Sequence, residues 1–383
     1  MKKTTAILLV FTIMLGLSGC GAQTTGPLPE LLPDQSVTIK PDPEIDISRP
    51  ELAETEKPEG TEDPVQPWTW PTDIPENQGL SQAALDAVHA TFDTFPLQSS
   101  VIVKNGYLVD IYYKDGYADS VFVLNSASKS ITSALIGIAI DLGYIESVDI
   151  PLSDYFPQVL EYEDTSWRQI TLWHLLTHTS GIRSTDNALW EEWRGSNNWI
   201  DYILALPIDS EPGSAFDYST GNTHLLSAIL EQATGMSMYN FGKKYLFDPV
   251  GMDSVQIETD PQGIADGGNG ICLTTSDMAR FGWLYLNSGS WEGQQIVPSE
   301  WVAQSTGIQF KRSAGSADYG YQWWVRTFGY QNYDAFFAQG HAGQYIFVVP
   351  QLQLVVAFNS DYTGATGIYW SLMEDIVNAC QSA

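Results

Sequence analysis

Cysteine and basic residues are scarce in this sequence. Its 383 residues include three cysteines, and 17 lysines and arginines stand against 46 aspartates and glutamates, which gives a formal net charge of -29. So few cysteines exclude a disulfide framework, and so acidic a chain is a poor partner for nucleic acid or for an anionic membrane. Cys272 and Cys380 could pair in an oxidising compartment, but we expect both to be buried and free.

The apolar run at residues 6–17 is too short to cross a bilayer comfortably. It follows Lys2 and Lys3 and precedes Leu-Ser-Gly-Cys at 17–20, an arrangement typical of an export signal. Those last four residues resemble the bacterial lipobox, which implies cleavage before Cys20 and attachment of lipid to its thiol. We therefore predict that residues 1–19 are a lipoprotein signal peptide and that Cys20 anchors the mature chain to a bacterial membrane, outside the cytoplasm. A plain secretory signal is the alternative.

Residues 20–77 are rich in Pro, Glu, Asp and Thr and have almost no periodic apolar pattern. Such a segment cannot bury enough apolar surface to fold, and its like charges keep it extended. We predict an acidic, disordered tether, with Trp68 and Trp70 as candidates for docking at its end. Residues 78–383 are numerous enough to bury a large core.

Strand patterns lie at both ends of this remaining stretch, and helical patterns lie between them. Two β-rich runs flank Asn105-Gly106, which is a strong hairpin signal. Helical or strand spacing predicts helices at 80–95, 126–142, 170–182, 276–286 and 366–379, and strands at 319–325, 336–350 and 354–358. The pattern predicts an α+β fold: an antiparallel sheet flanked by helices, built from residues 78–125 and 266–383, with a mostly helical lobe, 126–265, inserted.

Ser126 and Lys129 stand three residues apart where an apolar helix pattern begins. Residues i and i+3 share a helix face, which brings the amine beside the hydroxyl. Burial lowers the pKa of a lysine, so that the amine can be neutral and accept the serine proton. The helix N-terminus adds a positive dipole end where an oxyanion would form. Alone the pattern is weak, because serine often caps helices and lysine is a common solvated residue.

Three other residues could have either a catalytic or metal-binding role or a purely structural one. Tyr218 follows a turn, and a tyrosine near Lys129 can relay a proton to a leaving group. His174 and His178, at i and i+4, suggest zinc, but a metalloprotease helix would carry glutamate where Leu175 stands, and no third ligand is evident. We expect packed, hydrogen-bonded histidines, and neither metal nor cofactor.

Two further segments have ambiguous patterns. Gly267 to Gly270 lacks the strand and lysine that frame a nucleotide site, so we predict a tight turn that opens the helix at 276–286. Trp190, Trp193 and Trp199 could form either the core of the helical lobe or an apolar wall for a substrate. The sequence leaves this choice open.

Three short boxes occur in a fixed order along the chain. They are Ser126-Ala127-Ser128-Lys129, Tyr218-Ser219-Thr220 and His341-Ala342-Gly343. The boxes resemble, in order, the nucleophile, Tyr-x-Asn and Lys-Thr-Gly boxes of the serine β-lactamase and penicillin-binding protein family, in its class C-like branch of esterases and amidases. The likeness extends from about Leu80 to Val377.

The resemblance implies roles for these residues. Ser126 would attack a carbonyl and form an acyl-enzyme, with Lys129 as proton acceptor and Tyr218 as the relay to the departing group. Backbone N–H groups of Ser126 and Gln344 would form the oxyanion hole, and water would release the acyl group. The implied substrate-binding residues are Thr220, His341, Ala342 and Gly343.

Two boxes depart from the β-lactamase pattern. Thr220 replaces an asparagine amide, and His341 replaces a lysine that would grip the carboxylate of a β-lactam or peptide. The combination looks more like family esterases and the 6-aminohexanoate-dimer hydrolase group, so we expect a serine hydrolase acting on a small ester or linear amide. The alternatives are a D-amino-acid peptidase or weak β-lactamase, and a catalytically poor cell-surface binding module. The sequence does not determine the natural substrate or the oligomeric state.

Overall fold

The computed structural model describes residues 69–92, 94–118, 120–313, 315, 317–364 and 367–380. The predicted signal peptide, Cys20 and Trp68 lie outside these residues. Within the described ranges no helix combines the length and the apolar character that crossing a membrane would require.

The strands are numbered in chain order. They are β1 (Leu97–Lys104), β2 (Tyr107–Tyr113), β3 (Phe122–Val123), β4 (Gln256–Ile257), β5 (Ile271–Leu273), β6 (Ser290–Trp291), β7 (Gln294–Gln295), β8 (Asp318–Tyr319), β9 (Trp324–Phe328), β10 (Tyr333–Gly340), β11 (Gln344–Val349) and β12 (Leu354–Ser360).

The α-helices are numbered in the same way. They are α1 (Gln82–Phe92), α2 (Ser128–Asp141), α3 (Leu172–Leu176), α4 (Trp190–Arg194), α5 (Trp199–Leu204), α6 (Thr220–Thr234), α7 (Met238–Gly242), α8 (Asp248–Val250), α9 (Thr275–Leu286), α10 (Ser299–Thr306) and α11 (Gly367–Ala379).

Seven strands form one antiparallel sheet in the order β2-β1-β12-β11-β10-β9-β8. Alternate residues of a strand point to opposite faces, and both faces are buried: Val101 and Val103 pack into one core cluster and Ile102 into the other. Helix α9 covers the first face, and α1 packs with α11 over the second. The predicted α+β class, an antiparallel sheet flanked by helices, is confirmed.

The hairpin predicted at Asn105-Gly106 joins β1 to β2. Asn105 has φ 53° and Gly106 φ 84°, so both central residues are left-handed, as a two-residue hairpin turn with the strand twist requires. Asparagine and glycine adopt this conformation most readily. Local chemistry therefore accounts for the turn at this edge of the sheet.

Helix α2 runs through the centre of the molecule. Every residue from Ser128 to Ala139 is buried, and the helix packs against α6, α7, α10 and β10. A short 3-10 turn, Asn125–Ala127, precedes it. A Cβ at Gly340, at the end of β10, would lie 2.1 Å from the carbonyl oxygen of Leu124, so only glycine lets the sheet approach the turn that carries Ser126.

The predicted tether, 20–77, extends too far into the folded part. Thr72 forms a parallel bridge with Leu108, and Pro75–Gln78 forms a 3-10 turn. Trp70 packs edge-on against Trp283 and Trp291, with ring centroids 6.0 and 6.4 Å apart. Pairing with the edge strand β2 and the burial of an aromatic ring outweigh the proline-rich composition here.

Four predicted elements differ from the structure. The strand expected at 336–350 is two antiparallel strands, β10 and β11, joined by a turn at 341–343. The helix expected at 170–182 is confined to α3, because His178 and Gly181 have φ of 55° and 77°. The strand expected at 319–325 is two short strands, β8 and β9, separated by a turn in which Gln322 has φ 64°. The loop 267–270 leads into β5 before α9 begins.

The two cysteines of the described domain are free: Cys272 is buried and Cys380 half-buried. Burial raises the pKa of each thiol to about 11. Both therefore remain protonated near neutral pH and are poor nucleophiles.

Replacing Trp70 by alanine tests whether this segment stabilises the fold. The variant loses ring contacts with Trp283 and Trp291, and we expect the free energy of unfolding to fall by about 2 kcal/mol. Urea denaturation of Trp70→Ala beside Thr69→Ala, a change at an exposed neighbour, measures the difference. Equal stability of the two variants would contradict the docking.

Candidate active site

The amine of Lys129 lies at the centre of a buried hydrogen-bond cluster. Its Nζ donates to Ser126 Oγ (3.1 Å), Thr220 Oγ1 (3.0 Å) and the carbonyl oxygen of Gly268 (2.8 Å). The residue is 1% exposed. Burial lowers the pKa of Lys129 to about 8, although the carboxylates of Asp186 and Asp266 oppose the shift. A neutral amine beside a serine hydroxyl is a suitable proton acceptor.

Tyr218 lies against the same cluster. The ring centroid is 5.0 Å from Lys129 Nζ. Burial raises the pKa of Tyr218, and the nearby Ser126 side chain offsets part of this shift. The phenol is therefore neutral at physiological pH, which suits a proton relay and favours Lys129 as the base. The structure brings Ser126, Lys129 and Tyr218 together.

His178 holds the loop that carries Tyr218. The imidazole is fully buried, and its centroid lies 4.5 Å from that of the Tyr218 ring. Its carbonyl oxygen accepts from Asp217 N (2.9 Å), and its Nδ1 accepts from Ser219 N (3.4 Å). Burial and the charge of Lys129 keep the pKa of His178 well below its usual range, so the ring is neutral.

The other candidate zinc ligand has a local partner as well. Nδ1 of His174 accepts from Thr171 N (3.0 Å), which caps the start of α3. Across the described ranges, no three His, Cys, Asp or Glu side chains are placed to hold a metal ion together.

Thr220 connects the amine to an aspartate that sequence reasoning missed. Asp186 accepts from Thr220 N (2.6 Å) and from Thr220 Oγ1 (2.8 Å). The carboxylate thereby sits at the N-terminus of α6, where the helix dipole favours negative charge. The Thr220 hydroxyl is buried, donates to Asp186 and accepts from Lys129, so the geometry favours holding the amine over touching a substrate.

The loop at 267–270 is more than a turn, because it also contributes a carbonyl oxygen to the site. Leu124 N donates to Ile271 O (2.8 Å), and Ile271 N donates to Ser128 Oγ (3.1 Å). These bonds tie β5 to the start of α2 and present the Gly268 carbonyl to Lys129. A Cβ at Gly268 would lie 2.7 Å from Thr220 Cγ2. The glycines were a visible signal, but nothing local linked them to the amine.

The turn 341–343 joins β10 to β11 beside the nucleophile. Asn125 Nδ2 donates to His341 O (2.9 Å) and to Gln344 Oε1 (3.1 Å). Asn125 has φ 49° and Gly343 φ 105°. The residue before Ser126 therefore holds Gln344 close by. The His341 side chain is exposed at the rim, and Ala342 is half-buried. The oxyanion hole stays a prediction.

The tryptophan-rich segment packs into the helical lobe. The rings of Trp193 and Trp199 are 0% and 4% exposed, with centroids 5.0 Å apart. The guanidinium of Arg194 lies 4.0 Å from the Trp199 centroid and pairs with buried Asp266. Trp193 and Trp199 are thus core, which decides the choice the sequence left open for them. The aromatic rings packed around Tyr218 are instead those of Phe216, Tyr319 and Trp324; Phe216 and Trp324 are half-buried, and Tyr319 is buried.

The antiparallel sheet, with a serine, a buried lysine and a tyrosine clustered beside it, is the arrangement expected of a serine hydrolase. A sequence profile of the beta-lactamase family matches residues 100–369, and the chain belongs to that family. The predicted enzyme class is confirmed.

Named relatives include a 6-aminohexanoate-dimer hydrolase and esterases. The chain is 24% identical over 293 residues to the 6-aminohexanoate-dimer hydrolase of Paenarthrobacter ureafaciens, covering 70% of this chain and 74% of the relative. It is 26% identical over 164 residues to esterase EstB of Burkholderia gladioli, covering 38% and 41%. The structure of a candidate 6-aminohexanoate-dimer hydrolase of Bacillus anthracis superposes with a TM-score of 0.69 at 22% identity, covering 82% and 87%, which shows the shared fold.

Changing Asp186 to asparagine tests the electrostatics of the site. If neutral Lys129 is the active form, kcat/KM rises with pH through the pKa near 8. Removing a carboxylate that raises this pKa moves the rising limb to lower pH, by about 1 unit.

The matched control is Asp209→Asn, at an exposed ion pair with Arg183. We expect its pH profile to follow the parent enzyme. If the rising limb of kcat/KM against pH does not move in Asp186→Asn, or moves equally in both variants, the limb does not report the titration of Lys129.

Proposed function

We propose that this protein hydrolyses a small ester or linear amide through an acyl-enzyme on Ser126. The observation that supports it most directly is the 3.1 Å approach of the buried Lys129 amine to Ser126 Oγ, with the Tyr218 ring against the same amine. A nucleophile and a base at hydrogen-bonding distance, with a third group to move the proton, are what acyl transfer requires.

In the proposed reaction Ser126 Oγ forms a bond to the substrate carbonyl carbon while Lys129 takes the hydroxyl proton. Backbone N–H groups of Ser126 and Gln344 stabilise the negative charge on the carbonyl oxygen. The neutral Tyr218 phenol passes a proton to the departing oxygen or nitrogen, and the bond to that atom breaks. Water then attacks the acyl-enzyme by the reverse proton movements and releases the acid.

The lining of the site favours esters and linear amides over β-lactams. The position of the lysine in the third box is taken by exposed His341, and the Thr220 hydroxyl is engaged by Lys129 and Asp186. Neither group is a permanent cation or a free amide that could grip a β-lactam. Two of the relatives are named a 6-aminohexanoate-dimer hydrolase and an esterase, which supports these substrate classes, whereas others are named penicillin-binding proteins or a β-lactamase, which fits the alternative.

A burst assay with a chromogenic ester tests the acyl-enzyme. The parent domain is expected to release an initial burst of product. Ser126→Ala loses the nucleophile and should lose at least about 10⁴-fold in kcat. The matched control is Ser133→Ala, which removes another buried hydroxyl of α2 that has no hydrogen-bond partner within the described ranges.

Activity retained in Ser126→Ala would refute the assignment. A panel of esters, linear amides, D-peptides and β-lactams then fixes the substrate class. Rapid and stable acylation by penicillin would instead favour the D-peptidase or weak β-lactamase alternative. Binding of cell-wall peptides without turnover of any substrate would favour the binding-module alternative.

We also propose that the chain is a lipoprotein anchored at Cys20, on the basis of the export signal and the Leu-Ser-Gly-Cys pattern. Expressed as the full chain in a bacterium fed an alkyne-tagged fatty acid, the protein should carry the tag and sediment with membranes. Cys20→Ser should lose both properties, whereas Cys272→Ser should keep them. Tag retained in Cys20→Ser would contradict the anchor.

A further inference from the structure

The side chain of Asn125 reaches from the turn that carries the nucleophile to the turn that joins β10 to β11. Asn125 directly precedes Ser126 and has φ 49°, a left-handed conformation that glycine adopts freely and that asparagine tolerates. Its Nδ2 donates to the carbonyl oxygen of His341 (2.9 Å) and to Oε1 of Gln344 (3.1 Å). Glycine would satisfy the backbone at this position, so the turn itself does not require the amide.

The Gln344 side chain carries this link further into the sheet. Gln344 is 4% exposed, and its Nε2 donates to the carbonyl oxygen of Ser360, the last residue of β12 (2.8 Å). Both polar ends of this buried amide therefore have partners. Removing the Asn125 amide would leave Gln344 Oε1 buried without its donor, which costs free energy unless the side chain moves. The two amides thus hold each other in one arrangement.

The turn between β10 and β11 is also fixed by α11 and the segment before it. Ala342 is left-handed, with φ 64°, and its carbonyl oxygen accepts from Tyr362 N (3.0 Å) and Tyr369 Oη (3.3 Å). A Cβ at Gly343 would overlap Tyr369 Oη. A non-glycine residue keeps such a conformation only where its surroundings determine it. The turn is therefore held by contacts of its own as well as by Asn125.

The segments that Asn125 connects are those that carry the proposed oxyanion donors. Ser126 lies in the 3-10 turn before α2, and Gln344, which begins β11, follows Asn125 by 219 residues. In the proposed reaction the N–H groups of Ser126 and Gln344 point at one oxygen from about 2.7–3.1 Å. A hydrogen bond weakens when its distance or angle departs from the preferred value, so the separation of the donors decides how well the oxyanion is stabilised. A side chain that joins the two segments is in a position to set that separation.

We propose that Asn125 is a positioning residue that fixes the distance between the two oxyanion donors by hydrogen-bonding Gln344 and the His341 carbonyl. This inference rests on the proposed acyl transfer at Ser126, and it adds a residue that acts on the transition state through the backbone of others. Asn125 does not itself touch the reacting atoms. Its loss therefore weakens stabilisation of the oxyanion more than it weakens the binding of substrate.

The test compares two substrates that differ in a single atom. 4-Nitrophenyl acetate and its thiono analogue, in which sulfur replaces the carbonyl oxygen, release the same chromogenic phenol. Sulfur is a weaker hydrogen-bond acceptor on a longer bond, so a pair of donors spaced for oxygen stabilises it poorly. The measured quantity is the ratio of kcat/KM, oxygen over sulfur, divided by the same ratio for alkaline hydrolysis. We expect a normalised ratio of about 100 or more for the parent protein.

Asn125→Gly retains a residue suited to the left-handed turn and removes the amide. We expect the normalised ratio to fall about tenfold, because the donors are no longer held at the spacing that oxygen requires. Gln344→Met removes the partner amide and should lower the ratio similarly. The double variant should fall no further than the larger single effect, because both changes break one link. A ratio taken within one variant cancels any loss of folded protein.

The matched control is Asn332→Gly. Asn332 also has a left-handed backbone, with φ 54°, but it is exposed in the turn between β9 and β10. The substitution makes the same change of side chain and of chain entropy at a place that the proposed reaction does not use. We expect it to alter the normalised ratio by less than about twofold.

An unchanged ratio in Asn125→Gly, or an equal fall in Asn332→Gly, overturns the role of Asn125. If Asn125→Gly does not fold, a tenfold fall in Gln344→Met supports the role and an unchanged ratio there overturns it. If the two effects add in the double variant, they break separate links and the proposed role is wrong. If the parent protein hydrolyses the oxygen ester without preferring it, this inference fails while the proposed function stands. If it hydrolyses neither ester, the proposed function fails and this inference with it.

Discussion

Holding the amine of Lys129 out of water is the constraint on which the site depends. A buried ammonium loses its hydration, and its pKa falls unless acceptors and negative charges replace the lost water. Here three oxygen atoms accept from the amine, and two carboxylates lie near enough to favour its charged form. The resulting pKa of about 8 leaves both protonation states accessible near neutral pH.

These acceptors come from separate parts of the chain. Ser126 precedes α2, Thr220 begins α6, and Gly268 lies in the loop before β5. Each of these elements is fixed by packing or by backbone hydrogen bonds of its own, and Asp186 fixes the start of α6. The fold therefore preorganises the amine before any substrate arrives, which is how enzymes avoid reorganisation during the reaction.

The aromatic surroundings of Tyr218 complete this arrangement. Desolvation that lowers the pKa of an amine raises that of a phenol, so one environment favours the neutral form of both groups. The neutral ring of His178 packs against the Tyr218 ring, with centroids 4.5 Å apart, and the Trp324 ring stacks on it at 5.8 Å. The same apolar wall thus keeps water away from the phenol.

Local patterns in the sequence determined the pairing of Ser126 with Lys129 and the hairpin. Ser126 and Lys129 meet because the 3-10 turn that carries Ser126 runs directly into α2, which keeps residues i and i+3 on one side. Asn105-Gly106 turns because both residues tolerate a left-handed backbone. Strand periodicity at both ends of the domain was enough to predict the antiparallel sheet. Tertiary structure alone decided that Asp186 reaches Thr220, that the Gly268 carbonyl reaches Lys129, and that Trp70 belongs to the fold. Those contacts join residues far apart in the chain, where no short-range spacing or propensity records them.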